Sequence, residues 1–525
     1  MLAPSRRRFP CVLGLIALVA IVAGAVRGWT QEPANERERS VSKSIPFIDR
    51  ASSCEQCHSV PTRYNAEDVI CRMNESAIWA KSDKHRLAFS VLEGPRAEQM
   101  GKRLAIDVRT DKACLNCHSV AQAIWPPDAT FTADTANANR DALRQEGVGC
   151  VACHGAKREW IRDHTDFDNP QWRALSRREK EQRFGMVDLW DPATRARKCL
   201  SCHVGSVADD RVLTHAMYAA GHPPLPGIEV FTFSKAMPNH WEFLSEKVDR
   251  LSSKKPPVQE SLKRTLPLAP DRLDHTELVA VSGVAVLRAT LGLFADQAAK
   301  DGFVERPKTA WPDYARYDCQ ACHHDLKTPS WRQERGYTAA PGRPPLPDWP
   351  AVLVGVAIDA AGADRAAARH AEFERGLKDF HAALGVRPFG DKAHATESAR
   401  KLIAWLDQML GDLGAARADR ALALRLLDRL ARTTQTRLLD YDAARQVFWS
   451  YRVIYDEIEP KARPADPVVA LLDRLDRRFG LSLPSPNVQE PIEKSLAQRL
   501  QSVAEFDPFA FQEACAELPG LTPVK

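Results

Sequence analysis

Hydrophobic positions are distributed unevenly along the chain. An apolar run from Cys11 to Val26 follows three arginines, Arg6 to Arg8. From about 51 to 245 no long periodic segment occurs, and the pattern predicts short, interrupted helices. Residues 250 to 274, rich in Lys, Pro and Leu, read as a connector. Glu277 to Lys300 then carries Ala280, Val284, Leu287, Leu291 and Phe294 near one face, the spacing of a long helix that contains Gly283 and Gly292. A proline-rich stretch, 341 to 350, precedes a region dominated by Ala, Leu, Arg and Asp. There Thr396 to Leu413, Arg417 to Ala431 and Asp440 to Glu459 are the clearest helical periods, and they predict an antiparallel bundle.

With 525 residues the chain is too long for one ordinary core. The predicted organisation is a signal peptide or N-terminal anchor over 1–26, an exposed leader over 27–50 and a first domain over 51–245. A connector, long helix and further site cover 246–340, a linker 341–350, and the helical bundle 351–525. Ala23 and Ala25 suit peptidase cleavage, and the apolar run is short for a membrane span. A cleaved signal peptide is the first reading and an uncleaved anchor the second. Either exports the chain, to the periplasm. No other segment reads as apolar enough to span a bilayer.

Ten of the thirteen cysteines fall in five Cys-x-x-Cys-His pentads. They are Cys54/Cys57/His58, Cys114/Cys117/His118, Cys150/Cys153/His154, Cys199/Cys202/His203 and Cys319/Cys322/His323. This spacing lets two thiols bond the vinyl groups of one haem while the adjacent imidazole binds its iron, so the pentads imply five covalently attached haems c. Zinc would require a second cysteine pair at a set distance and gives no reason for a histidine after every second cysteine. Cys11 belongs to the N-terminal run. Cys71 and Cys515 read either as a disulfide or as two buried thiols.

The formal charge of +5 omits the cofactors. Five pairs of haem propionates would add about −10 and bring the holoprotein near −5, with arginines available as partners. Neither this balance nor any alternation of basic and aromatic residues suggests nucleic acid. Trp79, Trp125, Trp160, Trp190 and Trp241 read as packing residues of the first domain.

Each iron with a proximal histidine needs a sixth ligand or an open site. Ten histidines lie outside the pentads. His85, His164, His215 and His222 are the best candidates, followed by His240. His215 is expected inside a helix and His222, biased by Pro223, just past its end, serving different haems. His324 ranks lower and His275 lower still. His370, His381 and His394 read as exposed residues of the bundle, and Met217 and Met237 as alternative axial ligands.

Two stretches resemble the cytochrome c-554 family of multihaem proteins. One runs through Glu146, Gly147, Val148 and Gly149, then Cys150 to Gly155, with Trp160 and His164 behind. The other is Thr214 to Pro223. The resemblance covers about 51 to 245 and implies a mainly α fold, with short helices and long loops wrapped around haems. It also implies distal roles for His85, His164, His215 and His222. The family's founding members are tetrahaem periplasmic electron carriers of nitrifying bacteria, one of whose haems can lack a strong sixth ligand. The fifth pentad and the C-terminal helical bundle depart from that pattern.

The expectation is an electron carrier working between unidentified redox partner proteins. The alternative is a multihaem oxidoreductase acting on a small nitrogen or sulfur compound at one open haem. No Cys-x-x-Cys-Lys occurs, which argues against a pentahaem nitrite reductase. No catalytic residue is assigned. The C-terminal bundle is expected to support the structure or to dock a partner or a second copy, and a sensor or scaffold is a third reading.

Overall fold

The computed structural model describes residues 51–59, 65–119, 141–166, 169–266, 268, 272–299, 311–323, 326–330, 333, 344–386, 390–462, 464–483 and 492–522. The N-terminal run and leader, Trp125 and His324 lie outside them. Among the described residues the regular elements are helices, with one isolated bridge between Ser206 and Arg211.

Up to residue 251 the helices are short, from Ala51–His58 to Leu244–Leu251. The segment 250–274 contains more than a connector. Pro256 opens a helix over Pro256–Thr265 whose Val258 and Leu262 pack against Leu244 and Leu266. Proline in the first turn removes an N–H that would have had no partner anyway, so Lys-Pro-Pro starts a helix here.

The long helix, Asp274–Ala299, is the central beam. By length and composition it is apolar enough to cross a membrane, contrary to the expectation that no segment beyond the N-terminal run would be. Most of its surface is instead buried. Ala285, Val286 and Leu293 meet Ala196 and Leu200 of Pro192–His203. Phe294 meets Phe380 of the bundle edge-on, ring centroids 5.1–5.2 Å from its two aromatic neighbours, Trp311 and Phe380. Gly283 has a packing cause: a Cβ there would sit 2.7 Å from the Leu353 carbonyl oxygen, so the 353 backbone crosses where only glycine admits it.

The C-terminal helices are Ala366–Leu384, Lys392–Ala415, Arg420–Thr436, Tyr441–Ile458, Pro467–Phe479 and Ile492–Glu505, followed by two short ones to Leu521. Four of them start on an aspartate whose carboxylate accepts from first-turn N–H groups: Asp391, Asp419, Asp440 and Asp466. Such caps contribute about 1 kcal/mol each. Arg445 is buried in this core. Its guanidinium lies over the Trp449 ring at 4.3 Å and donates to the Leu481 carbonyl at 3.0 Å.

The proline-rich stretch is packed where it is described. Leu346 is buried, the Pro345 carbonyl accepts from Asp318 N–H at 2.8 Å, and the Trp349 carbonyl accepts from Gln446. It fastens the fifth pentad to the bundle.

Glu457 staples the bundle to the start of the long helix. Its carboxylate accepts from the N–H groups of His275 and Thr276, each at 2.8 Å, and from the Thr276 hydroxyl at 2.7 Å. Burial raises its carboxyl from 4.5 to about 7. The folded state therefore holds this proton more tightly than the unfolded chain does. Stability should fall as pH rises from about 4.5 through 7, by at most about 3 kcal/mol. A Glu457→Gln variant should lose that slope in thermal unfolding midpoints taken across this range. An unchanged slope would remove Glu457 as its source.

Candidate functional site: five histidine pairs

Four pentads lie on α-helices that end at the motif histidine. These are Ala51–His58, Lys112–His118, Cys150–His154 and Pro192–His203. The cysteines are three residues apart and the histidine follows, so helical geometry turns all three side chains toward one side. Asp111 caps the second helix through Ala113 N–H, and Asp191 the fourth through Thr194 N–H, with Pro192 in its first turn. The fifth pentad starts in a single 3-10 turn, Cys319–Ala321, capped by Asp318.

Each motif histidine stands opposite one histidine from outside the motifs. The ring centroids of His58 and His164 are 6.2 Å apart and nearly parallel. His118 and His222 are 6.4 Å apart, His154 and His240 6.3 Å, and His203 and His85 6.3 Å. His323 and His215 are 6.2 Å apart, with planes inclined by 25°. Too far apart for hydrogen bonding between rings, these pairs leave a gap of defined width. A metal held by two imidazole nitrogens at about 2 Å separates ring centroids by about 6 Å. The gaps fit that arrangement.

The nitrogens are set for it as well. His58 Nδ1 lies 2.8 Å from Glu75 Oε2, and His85 Nδ1 lies 2.9 Å from Asp83 Oδ1. His118 Nδ1 meets the Ala88 carbonyl at 2.6 Å and His222 Nδ1 the Pro223 carbonyl at 2.7 Å. An oxygen at Nδ1 holds the proton there and leaves the Nε2 lone pair free for a metal. Burial pushes His154, His164, His203 and His222 down to about 4 and also lowers His118 and His240. All six favour the neutral form that can ligate. The Glu75 hydrogen bond raises His58. At His85 burial opposes the charge, but the hydrogen bond and charge of Asp83 outweigh it and raise that imidazole.

His215 begins the helix His215–Ala220, and His222 follows its Gly221 cap. The two belong to different pairs. His275 is packed between Phe231 and Phe243. His394 is exposed and pairs with Asp379, and His381 is also on the surface. His370 departs from the exposed placement expected: it is half-buried, 2.9 Å from Asp359, which also holds Arg429. Met217 is buried inside the helix that carries His215, and Met237 caps Val230–Ala236. Cys71 and Cys515 are both free thiols. Burial raises Cys71 beside Glu75 and Lys247, whereas Cys515 hydrogen-bonds Thr434 within the bundle. The disulfide reading is therefore replaced by the two-thiol reading.

The motifs are close neighbours. The helix of the first packs on that of the third, and Arg211 bridges the second and fourth, donating to the Asn116 carbonyl at 2.7 Å and the Ser201 hydroxyl at 2.6 Å. Two residues that sequence reasoning passed over are Glu75 and Asp83. Asp83, two places before His85, carried the only local signal. It also accepts from His85 N–H at 2.9 Å.

Residues 53–155 match a family model described as cytochrome c554 and c-prime. The chain is similar to that family over this part, which carries an association with c-type haem and electron transfer. No curated protein and no solved structure matches the chain.

Proposed function

We propose that this protein is an exported pentahaem c-type cytochrome that carries electrons between redox partner proteins through bis-histidine haems. The observation that carries the reading is the one-to-one pairing: every motif histidine has one non-motif imidazole opposite, at 6.2–6.4 Å. Cys54 and Cys57, Cys114 and Cys117, Cys150 and Cys153, Cys199 and Cys202, and Cys319 and Cys322 would hold the macrocycles as thioethers. His58, His118, His154, His203 and His323 would be proximal ligands. His164, His222, His240, His85 and His215, in that order, would be their distal partners. Bound there, haem c supplies a one-electron ferric–ferrous couple.

The chain's own residues do the rest. The paired imidazoles would hold each iron from both sides, which favours electron transfer over substrate binding. Glu75 and Asp83 fix two imidazoles and make them stronger donors to the oxidised metal. The helical bundle supports the array from one side of the long helix. Partial-match evidence for the family supports the class of cofactor, and the apolar N-terminal run supports export.

The test is electron paramagnetic resonance of the oxidised holoprotein together with haem quantitation, since five low-spin irons and no high-spin iron are required. A finer prediction concerns Asp83. Asp83→Asn weakens donation from His85, so the ferric state loses stabilisation and the potential of one haem rises. A tenfold loss of ferric preference corresponds to about 60 mV. Potentiometric titration should show one haem shifted upward; a downward shift or none would remove Asp83 from this role.

A further inference from the structure

We propose that the fifth motif is wired to the second, and that it forms one end of the electron path. This rests on the bis-histidine reading and goes beyond it, to the order of the sites.

The helix His215–Ala220 serves both motifs. His215, its first residue, faces His323 of the fifth pentad, and His222, just past its Gly221 cap, faces His118 of the second. Between them Tyr218 packs against the His222 ring, 6.1 Å away. The fifth-motif segment is clamped to this helix directly. Asp313 accepts from His215 N–H at 3.1 Å, Arg316 donates to the Leu213 carbonyl at 2.6 Å, and the Tyr314 ring meets His215 edge-on. Two ligands borne by one turn-and-a-half of helix hold their metal sites at fixed, short range.

The other motifs touch one another in a line. The helix of the first packs on that of the third. Just before the third, Val148 N–H donates at 3.0 Å to the carbonyl of His85, the imidazole opposite the fourth. Arg211 ties the fourth to the second, donating to the Ser201 hydroxyl at 2.6 Å and to the Asn116 carbonyl at 2.7 Å. The fifth therefore extends the line beyond the second. It is also the outermost: of the ten motif thiols, Cys319 and Cys322 are exposed, and the rest are buried or half-buried. The order is first, third, fourth, second, fifth. Each step reduces one ferric iron as its ferrous neighbour is oxidised, with no bond or proton moved. A one-electron donor protein and a one-electron acceptor protein complete the balance at the two ends.

The test uses the full holoprotein. In His215→Ala a new high-spin iron should appear and should broaden one low-spin signal, the same one that disappears in His222→Ala; the other three should be unaffected. Broadening of a different signal, or of none, overturns the wiring while leaving the ligand assignment intact. If His215→Ala gives no high-spin iron, the ligand assignment itself falls, and the wiring with it. A second measurement does not depend on these variants. Protein tethered to a gold electrode through Leu326→Cys, an exposed position beside the fifth motif, should pass five electrons per molecule. Removing the second haem with Cys114→Ser and Cys117→Ser should cut this roughly fivefold, to one. Removing the first with Cys54→Ser and Cys57→Ser should leave four. Four electrons after loss of the second haem would contradict the order.

Discussion

A His222→Ala variant keeps five haems and turns one of them from low-spin to high-spin. His222 is not held by a helix of its own. Gly221, at φ 123°, turns the chain, Arg103 donates to the Ala220 carbonyl at 2.9 Å, and the Pro223 carbonyl fixes the ring through Nδ1. The alanine leaves this scaffold in place and removes only the imidazole. One-fifth of the low-spin intensity should be lost and replaced by a high-spin signal. The reduced variant should bind one carbon monoxide where the parent binds none, because an open axial position is created. Added imidazole should restore the low-spin spectrum. An unchanged spectrum would remove His222 as a ligand.

Phe380→Ala should cost about 3–5 kcal/mol. Phe380 is fully buried between the long helix and the bundle, edge-on to Phe294 with centroids 5.2 Å apart. Its loss leaves a cavity that rigid helices on both sides cannot close. The ten paired imidazoles make no ring contact with Phe380, which touches Phe294 and His381. Denaturant unfolding should shift to lower concentration while the oxidised spectrum of the folded protein stays low-spin. A loss below about 1 kcal/mol would mean that the bundle repacks and is less tightly joined to the beam than its packing implies.

Much of the architecture was legible in the apolar periods. The helix around Ala280 to Phe294 and the bundle helices around Leu402, Leu426 and Val447 lie where their spacing put them. The helix around Leu402 begins earlier than the periodicity suggested, at Lys392 rather than Thr396, because a polar first turn behind an aspartate cap carries no apolar signal. Pro256 misled, since proline breaks a helix interior but suits its first turn. The apolar strength of Asp274–Ala299 was underread as well: a helix buried by protein on most sides is as apolar as one surrounded by lipid.

At the site, the pentads were legible because their chemistry is local: two thiols and an imidazole within five residues. The imidazoles opposite them come from as far as 118 positions away, as with His85 and His203, and counting histidines could rank them but not pair them. The supporting carboxylates were hidden for the same reason. Glu75 is seventeen residues from His58 and meets it only after two helices pack. No spacing rule connects them.

The central claim, that all five irons are closed by two imidazoles, is tested most directly by spin-quantified electron paramagnetic resonance of the fully oxidised holoprotein. The account predicts five low-spin ferric irons per chain and no high-spin signal. One stoichiometric high-spin iron would contradict it and would make that haem a site for substrate.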